Sequence, residues 1–545
     1  MNYLVIALLA AILNLDAAIV RLSGASSIEE LSESEVERFR DMASRPMDLN
    51  SLSARKLYST GLLTPFQAAS IVDYISRNGD ICSVAELGAV DGIGAQLASA
   101  LSFFFILRPR GQLGAPSEGS VYYNQLQRCS VRDGTWTSAL KADISLDSRC
   151  SAAVAVKEGR AVSGSLQYDG HGLLDRVAAG SLSARFGQGL LMWSGFSMSG
   201  LSSLGSFSRN ASGIGRTSTL SEDSALKGVG ASLALGSRFC ASGLITDAAL
   251  IAANLGFMGR QSTIGTTLVR DADGIRVSAD FRGTWAGMTL FGEGALDFVS
   301  GGTAALLGTI WNISYGRKAG LLLRAYSPSY SSPYSGAPRC GSKSSDEYGA
   351  SAGVKLPWLD TALDAVYHPS KGSSQYKLRS TFSGDWRLGN LTLSPSLRLN
   401  SRLMPEDRYP WRNEARVDVG AGLGSLMGHF RFDAVGSRDF GWLWYLEGGW
   451  KGELTAVLRF TLFRIDNWQD RIYVYERDAP GCFNVPAYYG RGYGLSLYCS
   501  WERMRLRIGT VRYPWIEKDP HFEVRVQLEL KSQNLRPMLS PSAGD

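Results

Sequence analysis

This chain of 545 residues lacks any run of 18 consecutive apolar residues, so it contains no candidate for a membrane-spanning helix. Histidine is scarce: there are four, and none has the spacing of a metal ligand to another. A nucleophile elbow, a paired His/Asp set and a phosphate-binding loop are also missing. We therefore expect neither enzymatic activity nor a bound metal or small-molecule cofactor.

The seven cysteines are scattered and include no C-x-x-C pair, which argues against a zinc site. An exported protein permits disulfides, and a bridge between Cys129 and Cys150 on neighbouring strands is one option. The other option, favoured by the odd count and wide scatter, is that most are unpaired small residues. The seven are Cys82, Cys129, Cys150, Cys240, Cys340, Cys482 and Cys499.

Glycine and aromatic residues, in contrast, are frequent: the chain has 61 glycines, 22 tyrosines, 21 phenylalanines and 13 tryptophans. This composition suits many short strands and turns better than a helical bundle. The net charge of +6 is small for a chain of this length and does not by itself indicate a nucleic-acid partner. A single large barrel can use most of such a chain.

The N-terminus predicts an export signal. Its apolar core, Leu4 to Leu13, is too short to span a bilayer but fits the central region of a signal peptide. No Lys or Arg precedes this core, and a buried N-terminal helix is the alternative. We assign residues 1–25 to the signal, with cleavage after Ala18 or near Ala25.

Residues 26–44 carry acidic side chains between apolar ones and predict an acidic, weakly amphipathic helix from Ile28 to Met42. The Arg45-Pro46 step should end this helix, because proline disfavours helical backbone in the residue before it. The segment 45–110 that follows predicts two pairs of short helices. The acidic residues of the first helix are Glu29, Glu30, Glu33, Glu35, Glu37 and Asp41.

In the first pair, a short helix at Ala54–Tyr58 leads through a turn at Gly61 into a second helix. Thr64 can cap that second helix while Gln67 reaches back to the cap, a reciprocal arrangement called a capping box. The second helix should end near Gly79, because glycine readily adopts the backbone conformation that closes a helix.

The second pair joins helices at 84–87 and 97–101 through the turn Val90-Asp91-Gly92-Ile93-Gly94. This turn has the hydrophobic-x-Gly-hydrophobic-Gly form of helix–hairpin–helix proteins, and the tandem pairs resemble the module of competence-type periplasmic DNA receptors. Glycines let the backbone approach a ligand, and N–H groups at a helix start attract phosphate. The resemblance implies DNA or phosphate contact at Gly61, Thr64, Gly92, Ile93, Gly94 and Gln96.

Charge around the hairpins argues against tight DNA binding. Residues 45–110 hold six basic and five acidic side chains, and the acidic segment lies just upstream. Leu63 stands where the first turn would have its second glycine, and Gln96 lies near a position where DNA-binding members often carry Lys. Because non-specific affinity comes mostly from neutralised phosphates, we expect weak binding at best. A structural or protein-docking module is the favoured alternative.

After a polar linker, 111–118, residues 119–531 alternate apolar and polar side chains in many short runs, most clearly in 391–400 and 522–531. Soluble sandwiches and membrane barrels both give this alternation. The roughly 20 to 24 candidate strands, each of about ten residues, match tilted transmembrane strands. We therefore predict a mainly β protein with a large antiparallel transmembrane barrel, followed by a tail at 532–545.

Four connections are too long for hairpin turns. In transmembrane barrels the long loops are usually external and the tight turns face the periplasm. We therefore expect the protein in the outer membrane of a Gram-negative bacterium, with its helical module in the periplasm. The four connections are 197–222, 327–348, 404–413 and 466–491.

Two segments look more specialised: 179–193, which contains Gly187-Gln188-Gly189, and 471–493, which is rich in Tyr and Arg. With the helical module, they resemble segments of a family of exported helix–hairpin–helix proteins with C-terminal outer-membrane barrels. This resemblance implies location and fold more firmly than activity. Eight residues of these two segments could line the lumen or close a plug; the alternative is that they only form a polar network in the lumen. They are Arg185, Gln188, Arg471, Tyr473, Glu476, Tyr488, Tyr489 and Arg491.

Three functional hypotheses follow, all with outer-membrane lipid as a partner. The main one is a barrel whose helical module binds DNA or another polyanion during uptake or transport. The second is a porin-like transporter whose helical module docks a periplasmic protein or gates the pore. The third is a structural component of an envelope or secretion complex whose module docks a protein partner.

Overall fold

The structure, a computed structural model, describes residues 15–110, 121–146, 149–170, 172–195, 200–220, 225–314 and 316–533. The first part of the predicted signal, the linker 111–118 and most of the tail lie outside these residues. Within them, no helix is long and apolar enough to cross a membrane. The α-helices of the described residues are α1 (Leu15–Ser23), α2 (Glu33–Ser44), α3 (Ala54–Ser59), α4 (Pro65–Asn78), α5 (Val84–Ala89) and α6 (Gly94–Leu101).

The local chemistry predicted for α4 is confirmed. The Thr64 hydroxyl accepts a hydrogen bond from the N–H of Gln67, and the Gln67 side chain accepts one from the N–H of Thr64. Pro65 occupies the first turn, where its missing N–H costs nothing. The helix ends at Asn78, and Gly79 follows with φ +88°.

The prediction of a single acidic helix from Ile28 to Met42 is wrong about where that helix begins. A 3-10 turn, Ile28–Glu30, is separated from α2 by a break at Leu31 and Ser32. The break arises because Ser32 caps α2: its hydroxyl accepts a hydrogen bond from the N–H of Glu35. As predicted, α2 ends before the Arg45-Pro46 step.

The helices share one apolar core. Leu57, Ile71, Leu87 and Leu101 are fully buried within it. Helix α1 adds Ala18 and Ile19, also fully buried, so the described part of the segment assigned to the export signal packs against the helical module. A short parallel pairing of Met47–Asp48 with Phe105–Ile106 joins the two ends of the module.

The described residues beyond the helices form a closed antiparallel barrel of 24 strands, which confirms the predicted class and the upper end of the predicted strand number. Closure comes from pairing of the first strand with the last, Tyr122 opposite Gln533 and Arg132 opposite Glu523. Closing a sheet on itself leaves no unpaired edge, as a lipid environment requires.

The barrel strands β1 to β24 are, in chain order, Val121–Arg132, Thr135–Leu146, Cys150–Lys157, Arg160–Asp169, Leu174–Arg185, Leu226–Leu235, Phe239–Thr246, Ile251–Met258, Ser262–Asp271, Gly274–Trp285, Met288–Asp297, Thr303–Ser314, Arg317–Tyr326, Glu347–Leu356, Leu359–His368, Ser373–Ser383, Leu391–Leu403, Trp411–Leu423, Leu426–Gly436, Phe440–Trp450, Leu454–Ile465, Gly490–Trp501, Met504–Arg512 and His521–Gln533. Two shorter strands, Gly213–Arg216 and Trp386–Leu388, extend the same sheet.

Large apolar side chains cover the outside of the barrel. Along β12, exposed and buried residues alternate, so that Leu307 is 48% exposed while its neighbour Leu306 is 4% exposed. Leu321 and Leu323 on β13 continue the exposed face. An apolar exterior around a closed barrel is the surface that transmembrane barrels present to lipid. The protein is therefore an outer-membrane β-barrel.

A charged side chain on this exterior should lower the stability of the barrel, and the loss should be larger the nearer the residue lies to the middle of the bilayer. We expect Leu307→Arg to lower the free energy of unfolding in lipid vesicles by about 2–4 kcal/mol, because Leu307 lies midway along its strand. Thr303→Arg, on the same face at the strand end, should cost about 0–1 kcal/mol. Guanidine unfolding followed by tryptophan fluorescence measures both; equal losses would contradict the assignment of this face to lipid.

The two ends of the barrel differ. One end has short turns such as 236–238 and 502–503, and the helical module covers it. The Arg55 guanidinium donates to the Gly236 carbonyl at 2.8 Å, and the Lys56 ammonium lies 3.2 Å from the Asp175 carboxylate. Because strands alternate in direction, the three longest connections, 186–225, 327–346 and 466–489, all lie at the other end.

None of the seven cysteines, all of which lie in the described residues, forms a disulfide. The bridge considered between Cys129 and Cys150 is therefore wrong. Cys129 lies on β1 and Cys150 begins β3, and β2 runs between these two strands.

Candidate functional site: the filled lumen

Residues 26–44, called here the plug segment, lie inside the barrel. Its carboxylates contact side chains that point inward from the middle of their strands, among them Lys141 on β2 and Arg416 on β18. The segment predicted as an acidic helix, for which the sequence indicates no location of its own, therefore occupies the lumen. A polar segment is stable there because inward-facing strand positions are themselves polar and charged.

Glu29 is the most strongly held carboxylate of the plug segment. Arg431, only 2% exposed, donates from Nη1 to a Glu29 oxygen at 2.7 Å, and Arg416 lies 3.6 Å from the other oxygen. Burial alone would raise the pKa of Glu29, but the guanidinium groups of Arg416, Arg431 and Arg398 outweigh it. They hold the pKa well below its ordinary value, so Glu29 is ionised at neutral pH.

Glu30 makes a second contact with the wall. One of its oxygens pairs with the guanidinium of Arg379, and the other accepts hydrogen bonds from the N–H of Ser26 at 3.0 Å and the hydroxyl of Ser202 at 3.1 Å. Ser202 belongs to a long connection that folds back into the barrel. Glu30 therefore joins the plug segment to both the wall and this connection.

Lys141 forms a third contact, at the far end of the plug segment. Its ammonium lies 2.7 Å from Glu37 and 2.8 Å from Asp41. Burial raises the pKa of Glu37 and Lys141 opposes that rise, while Asp41 adds to it. The lysine is thus shared between two nearby carboxylates. Arg185 adds a looser contact, 3.7 Å from Glu35.

Arg40 of the plug segment and Arg45, the residue just after it, make further contacts. Arg40 donates to the Tyr475 hydroxyl at 2.8 Å and to the Cys482 carbonyl at 3.3 Å, both in the connection 466–489. Burial raises the pKa of Tyr475 to about 12, so this phenol is neutral. Arg45 contacts the wall carboxylate Asp143 at 3.0 Å.

The described parts of the three long connections also fold inward and occupy much of the lumen. The Tyr330 hydroxyl donates to the Leu190 carbonyl at 2.9 Å, which joins two of the connections. Leu191, Leu204 and Phe207 are buried in an apolar cluster with wall residues. The lumen is therefore occupied by folded polypeptide.

The Gly187-Gln188-Gly189 turn is held by a buried wall carboxylate. One oxygen of Glu293 accepts hydrogen bonds from the N–H groups of Gln188, at 2.7 Å, and Leu190, at 3.1 Å. A side chain at Gly187 would put its Cβ 2.9 Å from that oxygen, and φ there is +56°. Glycine is required because the turn lies directly on the carboxylate.

The second specialised segment divides between lumen and rim. Glu476 is buried, and it accepts from Tyr488 and pairs with Arg507. Tyr473 is 45% exposed, and Arg471 donates to its hydroxyl at 2.8 Å.

Tyr489 and Arg491 belong to the rim. Tyr489 packs edge-on against Trp468, and Arg491 contacts Asp466 at 2.6 Å beside an open pocket of about 580 Å³. Alternate positions of β22 face opposite sides of the barrel wall. Positions 492 and 494 face the lumen, so the Arg491 side chain faces outward.

The residues predicted to contact phosphate are engaged within the protein. Gly92 packs on the Phe66 ring, its carbonyl accepts from the Gln67 amide at 2.9 Å, and Gln96 accepts from Arg21 at 2.7 Å. Gly61 packs against Ser212 of a long connection. The remaining positions also have structural roles: Thr64 caps α4, Ile93 is buried in the helical core, and Gly94 begins α6 with φ +73°.

A cavity of about 120 Å³ remains between the plug segment and the wall. Arg38 and Asp41 of the plug segment line it, together with Arg45 just after that segment, Arg185 at the end of β5 and Arg216 of the connection 186–225.

The sequence pointed to Arg185, Gln188 and Glu476 for the lumen but not to the wall arginines that contact residues 26–30 of the plug segment. Arg398 lies in the run 391–400 that was used as an example of alternation, and its inward position was readable from that pattern. Its contact with Ser27 could not be predicted, because nothing in the local sequence indicates a partner some 370 residues away.

Comparison with known proteins adds little. No protein-family model and no curated protein matches the chain. Solved structures that resemble it include Pseudomonas aeruginosa OpdL, at 9% identity, a TM-score of 0.31 and coverage of 76% of this chain and 98% of that one. Another is P. aeruginosa OprD, at 9% identity, a TM-score of 0.30 and coverage of 76% and 95%. Likenesses at such values carry no functional inference.

Proposed function

We propose that this protein is a gated transport barrel of the outer membrane, closed by its own plug segment, residues 26–44. The observation that carries the proposal is the contact of Glu29 with Arg431 and Arg416 inside the lumen. Movement of the plug segment would open a path along the inward-facing strand positions. This is the porin-like hypothesis, with the helical module acting on the pore.

The size of the barrel supports transport. Barrels of 16 to 18 strands already enclose an aqueous channel, and larger ones need an internal plug to be closed. A 24-strand barrel with a purely structural role would have no need of so wide a lumen. Here that lumen is occupied by four segments of the chain: the plug segment and the connections 186–225, 327–346 and 466–489.

The nature of the contacts supports a movable plug segment. It contacts the wall through ion pairs and side-chain hydrogen bonds, and its helix makes no strand pairing with the wall. Such contacts can be exchanged for water or ions when the lumen hydrates. The apolar side chains of the plug segment, such as Val36 and Phe39, pack instead in the core of the helical module, so the segment and the module would move together. The helical module at the short-turn end is continuous with the plug segment, so a force on the module would act on it directly.

The test is ion conductance of the full-length protein in planar lipid bilayers. We expect rare openings in the wild type and frequent openings in Glu29→Ala/Glu30→Ala. Breaking a buried ion pair costs about 3 kcal/mol, which corresponds to an increase in open probability on the order of 100-fold.

The control is Glu453→Ala/Glu517→Ala, which removes two exposed carboxylates outside the lumen and should behave as the wild type. If Glu29→Ala/Glu30→Ala stays closed while its purified barrel remains folded, the gating proposal is overturned.

DNA or polyanion binding by the hairpin at Gly92–Gly94, and docking of a periplasmic or envelope protein on the helical module, stay predictions from the sequence. Fluorescence anisotropy of the full chain with short duplex DNA at low and physiological salt tests the first. The internal contacts of Gly92 and Gln96 lead us to expect no salt-sensitive binding.

A further inference from the structure

Four wall arginines are concentrated around one end of the plug segment. Arg398 on β17 lies directly opposite Arg416 on β18 in the strand register. Arg379 and Arg431 point inward from the flanking strands β16 and β19. Like charges directly opposite each other on neighbouring strands are destabilising, so this cluster needs anions beside it.

The wall supplies only part of the opposing charge. Asp433 is shared by Arg416 and Arg431. Two further wall carboxylates make their closest contacts outside the cluster: Glu414 lies 2.8 Å from Arg412, and Asp418 lies 3.3 Å from His429. Both also lie near enough to Arg416 for their charges to interact, so they balance part of the cluster.

The plug segment supplies the rest of the acceptors. Glu29 contacts Arg416 and Arg431, and Glu30 contacts Arg379. Arg398 donates to the Ser26 carbonyl at 2.9 Å and to the Ser27 hydroxyl at 3.3 Å. Its buried Nε has no acceptor among the described residues. When the plug segment moves, Arg379 and Arg398 lose these partners. Arg416 and Arg431 lose Glu29 and keep the shared carboxylate of Asp433 as their wall partner.

We propose that Arg379, Arg398, Arg416 and Arg431 form an anion-binding site on the transport path, and that Glu29 and Glu30 occupy it in the closed state in place of the cargo. Planar guanidinium groups match the paired oxygens of carboxylates and phosphates, so the cargo class is an oxyanion. This inference rests on the proposed function and names the substrate class for the same lumen.

Two measurements on the full-length protein test the site. The first is the reversal potential of open channels of Glu29→Ala/Glu30→Ala under a potassium chloride gradient. We expect chloride to be favoured over potassium by at least about threefold, because clefts lined with one sign of charge concentrate counter-ions. Adding Arg398→Gln/Arg416→Gln should abolish that preference, whereas cation preference or no preference in the first variant would overturn the site.

The second measurement does not depend on conduction. It detects binding of inorganic phosphate as a rise in the thermal unfolding temperature of the purified barrel. We expect protection in Glu29→Ala/Glu30→Ala, none in the wild type, whose site is occupied, and none after Arg398→Gln/Arg416→Gln is added. Phosphate binding in a variant that never conducts would keep the site and overturn the proposed function. A conducting variant without anion preference or phosphate binding would overturn the site alone.

Discussion

Arg324→Leu is expected to destabilise the folded barrel by about 3–5 kcal/mol, among the largest effects of any single substitution in this chain. The Arg324 side chain is fully buried and pairs with Glu347 and Asp364, which are 0% and 1% exposed. It also donates to the Ser351 hydroxyl at 2.7 Å. Leucine in its place removes the guanidinium that pairs with both buried carboxylates.

The loss should extend to a long connection, because Glu347 also accepts hydrogen bonds from the N–H of Cys340 at 2.9 and 3.0 Å. Guanidine unfolding in lipid vesicles measures the loss. A matched variant that also carries Glu347→Gln and Asp364→Asn should recover much of it, because the uncompensated charges are gone. A loss below about 1 kcal/mol for Arg324→Leu would show that these carboxylates are not buried in the membrane-embedded protein.

The second large effect concerns the reactivity of Cys482. This thiol is 4% exposed, and the connection that carries it contacts the plug segment through Arg40. Burial raises the pKa of the Cys482 thiol to about 12, which leaves very little reactive thiolate at neutral pH. We expect maleimide labelling of Cys482 to be at least about 100-fold faster in Glu29→Ala/Glu30→Ala than in the wild type.

Peptide mass spectrometry can follow each cysteine separately. Cys82, exposed on the helical module, is the internal control and should react at the same rate in both proteins. Equal protection of Cys482 in both would mean that removing the two carboxylates leaves the plug segment in place. This readout reports movement of the plug segment independently of ion flow.

The parts of the fold that could be predicted are those set by neighbouring residues. The capping box of Thr64 and Gln67 needs only a three-residue spacing, and the end of α2 needs only Pro46. The barrel class follows from strands that alternate with period two and have the length of a bilayer crossing. The break at Ser32 could not be predicted, because a serine within a helical pattern can either stay in the helix or cap a new one. Here the Ser32 hydroxyl accepts from the N–H of Glu35 and caps a new helix.

The position of the acidic segment could not be predicted in the same way. A charged, weakly amphipathic helix satisfies its local pattern equally well in the periplasm or against a charged wall. The contact of Glu293 with the Gly187-Gln188-Gly189 turn could not be predicted for the same reason. In the sequence, Glu293 is one of many inward-facing carboxylates, and its neighbours do not indicate which turn it binds.

The sequence by itself determined the mainly β class, the number of strands within a narrow range, and the outer-membrane location, because strand periodicity, strand length and apolar exterior are local properties. Only the tertiary structure decided what occupies the lumen. The contact between Glu29 and Arg431 joins residues 402 positions apart. Barrel closure sets such contacts, since it brings inward-facing charges from many strands around one segment, and no local pattern records which charges will meet.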